Sequence, residues 1–482
     1  MGWDEAMTAD YDGVIVGGTL QGREAAALAA REGARVALVE PDGAVEAILW
    51  RQLLVQVLSH WGQQIRPERL LGPGDDPEPR LDWAPLMAQV LRMAEMAYPH
   101  LGLESLAAKG VDVVVGPGQF SRKPRLVFAT ADRVLRARGF VLCPNTQVSV
   151  PSVPGLAETP YTTLDRLGQW TQPPEDLVIL GRSPEAIALA QLLSWRGTRV
   201  TLVTRGDRLL PSEDGDISIF IESLLRAAGV DLRLGVTLKQ VTYRHGFSLD
   251  LATGGPLQAS HLWLATNRQP DVEGLNLEAL GLPPPWPHLP VNDQLHTSHP
   301  RVFVCGPALG GYWAEATDHQ DVAVALRNAL YLPWRRMTRL GRLGYLATVP
   351  GFARLGLTGT QAERWYGSAA LVLQIPFGET LAAHFKADTT GFCRWVLHRD
   401  GRLLGAQICG PHAEDLIQTV GLILAQNLPL QHIHRLPRLP QSHGEILHRM
   451  LDAWQHYRWR PGTWRRDWAE NWFNWRRSRP FH

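Results

Sequence analysis

Residues 11–41 read "YDGVIVGGTLQGREAAALAAREGARVALVEP". "GVIVG" is a short apolar run closed by glycines, "REAAALAARE" has helix-forming composition, and "ARVALVE" is a second buried strand. The stretch therefore reads as strand, tight turn, helix, strand, with "GGTLQG" on the turn. Residues 176–206, "DLVILGRSPEAIALAQLLSWRGTRVTLVTRG", repeat the sentence. Gly17 and Gly181 end the first strands, and Gly33 and Gly197 end the helices at the same offset of 16; Val36 and Val200 open the next strand. Two βαβ units with matched internal spacing predict an α/β protein with two parallel sheets.

Each turn carries a degenerate form of the glycine fingerprint that holds a dinucleotide. In that fingerprint the first glycine makes the tight turn, the second lets backbone approach the pyrophosphate, and the third lets helix pack on strand. In the first copy Gly17, Gly18 and Gly22 remain, and Thr19 takes the second place. A β-branched side chain there intrudes on the phosphate unless its hydroxyl becomes a ligand. Glu40 ends the second strand, 23 residues beyond Gly17, where a carboxylate accepts ribose hydroxyls. In the second copy Gly181 is kept, while Ser183 and Ala186 replace the other two. Thr204 stands where an acidic residue selects NAD, and Arg205 and Arg208 just beyond favour a 2′-phosphate.

Composition bounds the rest. The 482 residues are 45% hydrophobic and 20% charged, enough for two to four cores. Lys plus Arg (48) balances Asp plus Glu (47), so no global field recruits nucleic acid. Cys143, Cys305, Cys393 and Cys409 stand apart in sequence, which predicts neither a disulfide framework nor a thiolate zinc site. The histidines are scattered, and "HIH" at 432–434 is short of a ligand set, so no metal is expected. No apolar run reaches the roughly 18 residues of a membrane span, and "MGWDEAMTAD" lacks the regions of a signal peptide. The cytoplasm is the expected compartment. Short strands and turns over 110–156 read as an antiparallel insert that returns to the first sheet. A Pro- and Arg-rich connector near 345 precedes an α+β unit to about 452.

In order, these landmarks resemble the flavin- and pyridine-nucleotide-dependent disulfide reductases, the family of dihydrolipoamide dehydrogenase, glutathione reductase and mercuric reductase. "SVPSVPGL" (149–156) resembles its PxxPG exit from the FAD domain, and "HTSHPRVFVCGPALGG" (296–311) its TSxPxIYAxGD element. "NRQPDVEGLNLEALGL" (267–282) resembles the stretch leading into the central domain, and "GFARLGLTGTQAE" (351–363) and "GRLLGAQICGPHAEDLI" (401–417) its interface domain. The resemblance implies an FAD-type domain over 1–155 continued at 271–345, an NAD(P)-type domain over 156–270, and an α+β dimerisation domain over 346–452. It also implies a homodimer, FAD and NADP(H) as cofactors, and flavin contacts at Asn145, Thr146 and Gly306.

The departures fall on working residues. The family's CxxxxC pair corresponds to "DGAVEAILWRQLLVQVLSHW" (42–61), which has no cysteine, so exchange through that pair is excluded. The family's His-Pro…Glu pair corresponds to "RLPRLPQSHGEIL" (435–447), leaving His443 and Glu445 as weak acid–base candidates, with a surface or capping role the more ordinary one for His443. Its GD motif reads Gly306–Pro307, and proline offers neither an acceptor side chain nor an N–H.

Residues 454–482 extend beyond the resemblance with 6 of the 18 tryptophans and 7 arginines. Trp464, Trp468, Trp472 and Trp475, spaced 4, 4 and 3, form one stripe on a helix. Packing on the chain itself, docking on a protein partner, and lying on a membrane surface stay open. Two functions stay open as well. One is an oxidoreductase that passes electrons from NAD(P)H through FAD to an acceptor without a cysteine relay. The other is an inactive relative kept as a dimeric scaffold that displays the tail.

Overall fold

The computed structural model describes residues 9–41, 54–55, 57, 83–122, 125–313, 319–337, 343–435 and 437–479. The chain forms two compact units, one of Met1–Thr338 with Leu346–Thr348, the other of Arg339–Tyr345 with Val349–His482.

In the first unit the opening stretch folds as β1 (Tyr11–Val16), α1 (Leu20–Arg31) and β2 (Val36–Glu40). β3 (Asp112–Val115) and β4 (Ala137–Leu142) follow, then the second copy as β5 (Asp176–Gly181), α2 (Pro184–Trp195) and β6 (Arg199–Val203). After α3 (Gly215–Ala227) come β7 (Asp231–Arg233), β8 (His261–Ala265), β9 (Val302–Val304) and α4 (His319–Leu330). Two parallel sheets result, in the orders β9-β4-β1-β2-β3 and β7-β6-β5-β8. Helices and loops cover the sheets, so the central strands are mostly apolar: every residue of β2 is buried, including the one charged residue, Glu40, at its end. The expected insert is a three-stranded antiparallel sheet of Gly118–Ser121, Val127–Thr130 and Val134–Leu135, after which β4 rejoins the first sheet beside β1. A further helix spans Trp83–Ala97.

The second unit is an antiparallel sheet. β10 (Gly351–Gly356), β11 (Ala370–Pro376), β12 (Phe392–His398) and β13 (Leu403–Gly410) lie in the order β10-β13-β12-β11. Helices α5 (Ala413–Ala425) and α6 (Glu445–Arg458) contribute Ile417, Val420, Met450, Leu451 and Trp454 to its core. The last helix, α7 (Trp464–Arg477), has no buried residue. Its tryptophans pack on one another, Trp468 and Trp472 at 6.0 Å and Trp472 and Trp475 at 4.9 Å between centroids.

This corrects the start of the tail. Trp454 is 2% exposed, inside α6, so residues 454–458 belong to the folded core and the unpacked segment begins near 461. Truncation after Arg460 should leave the unfolding midpoint unchanged, because exposed side chains contribute within about 0.5 kcal/mol. Truncation before Trp454 should lower it, and thermal melts of both chains check the pair. Among the described residues no helix is long and apolar enough to cross a membrane.

Candidate functional site

The site is built at the carboxyl end of the first sheet, where β1, β4 and β9 stop side by side. Gly17 leaves β1 with φ +115°, and a Cβ there would lie 2.0 Å from the Cys143 carbonyl oxygen. Only glycine meets both demands. At Gly22 a Cβ would stand 2.1 Å from the Gly17 carbonyl oxygen, the close helix-on-strand packing assigned to the third glycine.

Thr19 neither fills the crevice nor reaches out as a phosphate ligand. With φ −61° and ψ 166° it is the N-cap of α1. Its hydroxyl accepts from Gly22 N–H at 3.2 Å and donates to the Cys143 carbonyl at 3.1 Å, turning the side chain inward. Ser183 does the same for α2, at φ −62° and ψ 152°, accepting from Ala186 N–H at 3.3 Å. Both second-place substitutions are therefore capping residues, the types preferred at that position. The first two N–H groups of α1, from Leu20 and Gln21, have no carbonyl partner within the helix, and the helix dipole favours an anion beside them.

Four further side chains surround this turn. Glu40 is 1% exposed, and Arg23 donates to both of its carboxylate oxygens at 2.8 Å. Burial raises the Glu40 carboxyl above its ordinary pKa, while the Arg23 charge and hydrogen bonds oppose the rise. A carboxylate has about four acceptor positions, so this pair leaves capacity for ribose hydroxyls. Gln21, also 1% exposed, has no hydrogen-bond partner on either side-chain amide atom among the described residues. Its stem lies where a Cβ on Gly306 would meet it, at 3.4 Å. A buried amide with nothing to bond costs about 1–3 kcal/mol unless something polar completes it. Asp321, from α4, accepts the Gly306 N–H at 3.0 Å, so a carboxylate stands at the turn whose own motif has proline. Neither Gln21 nor Asp321 carried a sequence signal.

Asn145 and Thr146 follow β4, and their side chains bond to other protein groups. Asn145 Oδ1 accepts the Thr146 N–H at 2.8 Å, and Thr146 Oγ1 accepts from Arg268 at 2.8 Å. The structure thus gathers Gly17, Gly18, Thr19, Gly22, Glu40 and Gly306 around the α1 N-terminus, while the Asn145 and Thr146 side chains serve the protein.

At the second sheet Gly181 and Ser183 form the matching turn, and Arg205 and Arg208 are exposed on the loop after β6. Arg182, which drew no attention in the sequence, spans the turn. Its guanidinium lies over Gly206, where a Cβ would come into hard contact with it, and it donates to the Arg208 carbonyl. The Tyr312 hydroxyl donates to the Arg182 carbonyl at 2.8 Å, and burial keeps that phenol protonated by raising its pKa well above the ordinary value.

His443 and Glu445 belong to the other unit. His443 is not a surface residue: it is 3% exposed, with its ring 5.2 Å from that of His412 and 6.2 Å from that of Phe377. Glu445 accepts the Leu381 N–H at 3.2 Å and pairs with Arg449 at 3.1 Å. Both border a cavity of about 470 Å³ shared with Lys386, Asp415, Ser442 and His448. One histidine and two carboxylates do come together: nitrogen or oxygen atoms of His412, Glu414 and Asp415 lie within 4.8 Å of one another at the α5 N-terminus.

Two parallel sheets, each delivering a glycine turn to a helix N-terminus, define a protein with two dinucleotide-type crevices. Residues 11–326 match the family model described as pyridine nucleotide-disulphide oxidoreductase, and residues 345–437 match the dimerisation domain of that family. The chain belongs to the pyridine nucleotide-disulphide oxidoreductase family, whose members bind FAD and NAD(P)H. It is 29% identical to mercuric reductase of Staphylococcus aureus over 307 residues, 62% of this chain and 56% of that protein. It thus spans about half the length of that relative. Mercuric reductase of Streptomyces lividans is 28% identical over 451 residues, 88% of this chain and 92% of that one. In fold it resembles the HOCl-induced flavoprotein disulfide reductase RclA of Escherichia coli, with a TM-score of 0.77 at 22% identity, covering 92% of this chain and 99% of RclA. The fold is that of two Rossmann-like domains with an α+β dimerisation domain. Most of the stretch matching the family's cysteine pair lies outside the described residues, which include only Leu54, Val55 and Val57 of it.

Proposed function

We propose that the chain is a homodimeric FAD-dependent NAD(P)H oxidoreductase that delivers electrons to its acceptor without a CxxxxC relay. The observation that carries this reading is the buried, unpartnered Gln21 amide beside Gly306 and the α1 N-terminus, a polar cradle that a bound diphosphate-ribityl group completes. The bound flavin would supply hydride acceptance and electron transfer. The chain's part is to bind and orient it: Leu20 and Gln21 N–H groups toward the diphosphate, Glu40 toward the adenosine ribose, and Gln21 and Gly306 along the linking chain. Thr19 acts through the cap by holding that turn in shape.

At the second crevice Arg205 and Arg208 would receive the 2′-phosphate of NADPH, once Arg182 swings off Gly206. Replacing both by alanine should weaken NADPH binding by about a hundredfold or more, since each charge-assisted hydrogen bond contributes about 1.5–3 kcal/mol. NADH binding should hardly change. Tryptophan-fluorescence titration of both nucleotides tests this, and an equal loss for both would remove the assigned preference. His443 and Glu445 would supply the acid–base pair of the second unit, with Glu445 held by Arg449 and the Leu381 N–H.

A second reading, the scaffold, is favoured by α7, whose Trp464 and Trp468 are 71% and 61% exposed with Arg465 and Arg479 over neighbouring rings. Such a helix suits a partner surface or an anionic lipid surface at the cell's inner face. Co-sedimentation of the full chain, but not of the chain ending at Arg460, with anionic vesicles would assign it to lipid. Absence of sedimentation by both chains would leave a protein partner.

A further inference from the structure

The four cysteines, separate in sequence, are not all separate in space. Cys143 directly follows β4 and Cys305 directly follows β9, and these strands are parallel neighbours paired through Leu142 and Val304. The two positions are 162 residues apart in the chain, yet their sulfurs are 2.8 Å apart and both residues are fully buried. We propose that Cys143 and Cys305 are a dithiol–disulfide couple set beneath the first crevice and oxidised by small hydroperoxides.

A disulfide has its sulfurs about 2.05 Å apart, so bond formation needs a closure of roughly 0.8 Å between strands already held in register. The chemistry balances in two steps. One thiol takes an oxygen from hydrogen peroxide, becoming a sulfenic acid and releasing water. The other sulfur then displaces that hydroxyl, forming the S–S bond and a second water. Two electrons and two hydrogens leave the pair, and one peroxide is reduced to two waters. Burial slows the first step, because the peroxide has to reach sulfurs shielded from solvent. It also protects the product: the resolving thiol is already in contact, so the sulfenic acid closes before a second peroxide converts it to sulfinic acid.

The position makes the couple consequential. The Cys143 carbonyl receives the Thr19 hydroxyl and packs against Gly17, while the residue after Cys305 is Gly306, against the Gln21 stem. Drawing the sulfurs together pulls on both loops that border the α1 N-terminus. The inference is independent of whether that crevice holds flavin.

The test uses the full chain. Protein reduced and then freed of reductant is exposed to hydrogen peroxide, alkylated while unfolded, and digested without reduction. A peptide joining Cys143 to Cys305 should account for most of the chain after peroxide and vanish after dithiothreitol. The unfolding midpoint should rise with oxidation, since the cross-link closes a long loop. Cys143→Ala and Cys305→Ala should each show neither the peptide nor the peroxide-dependent rise. Recovery of both cysteines as alkylated thiols or as sulfinic acids would overturn the proposal, as would an equal midpoint shift in the Cys143→Ala chain.

Discussion

Gly17→Ala is expected to cost the first unit about 3–5 kcal/mol, enough to unfold a marginal domain. The cost has two sources. At φ +115° a side chain is strained wherever it points, and here its Cβ would meet the backbone of Cys143 and Pro144, at 2.0 Å from one carbonyl oxygen and 2.8 Å from the next nitrogen. Neither atom is the movable end of a side chain. Gly33 supplies the control, because it also has positive φ, +82°, but nothing within 4 Å of an added Cβ. Gly33→Ala should therefore cost only about 1–2 kcal/mol, the left-handed penalty alone. Urea titrations following the first unit's transition measure the difference. Equal costs at the two positions would mean that the turn does not press on β4 as described.

Arg23→Met should cost about 3–5 kcal/mol at neutral pH, because it leaves the buried Glu40 carboxylate without its cation. The pH dependence has a definite sign. Burial already holds the folded-state Glu40 pKa above its unfolded value. A carboxyl shifted that way binds its proton more readily in the folded chain, so stability falls as pH rises through the interval between the two values. Removing Arg23 deletes the opposing influence and extends that interval upward. The variant's deficit should therefore be largest at neutral pH and shrink as pH falls toward the unfolded carboxyl range, about 4.3. Arg23→Met with Glu40→Gln should recover most of the loss, and a deficit that persists unchanged in acid would exclude this cause.

The architecture was readable because it is written in spacing. Glycines 16 apart, followed in both copies by a strand with Val36 or Val200 near its start, mark two βαβ units whatever occupies the intervening positions. The state of the site was harder to read. Thr19 and Ser183 look like damage to a fingerprint when residue type is compared with a pattern. Their role as helix caps depends on a backbone angle and an inward rotamer, which one-dimensional spacing does not carry. Gln21 and Asp321 are ordinary helix residues whose importance comes from what lies opposite, across the ends of β1 and β9. Long-range pairs were invisible for the same reason. Cys143 and Cys305 form no local motif, and only the parallel pairing of β4 with β9 makes them neighbours. Arg182 carries no signal of its own in the sequence, because its place across Gly206 is set by the fold of two separate loops. The tail was misplaced by composition, since Trp454 and Trp464 are the same residue type on opposite sides of the boundary between a buried helix and an exposed one.

The most direct test of the account is titration of the purified, folded chain with FAD, followed by flavin fluorescence and repeated on Thr19→Gly. Saturable binding of one FAD per chain is expected, with little change in affinity in Thr19→Gly because glycine is itself a tolerated N-cap. No FAD binding by a chain whose circular dichroism shows it folded would contradict the account, and a tenfold loss in Thr19→Gly would show that the hydroxyl faces the phosphate after all.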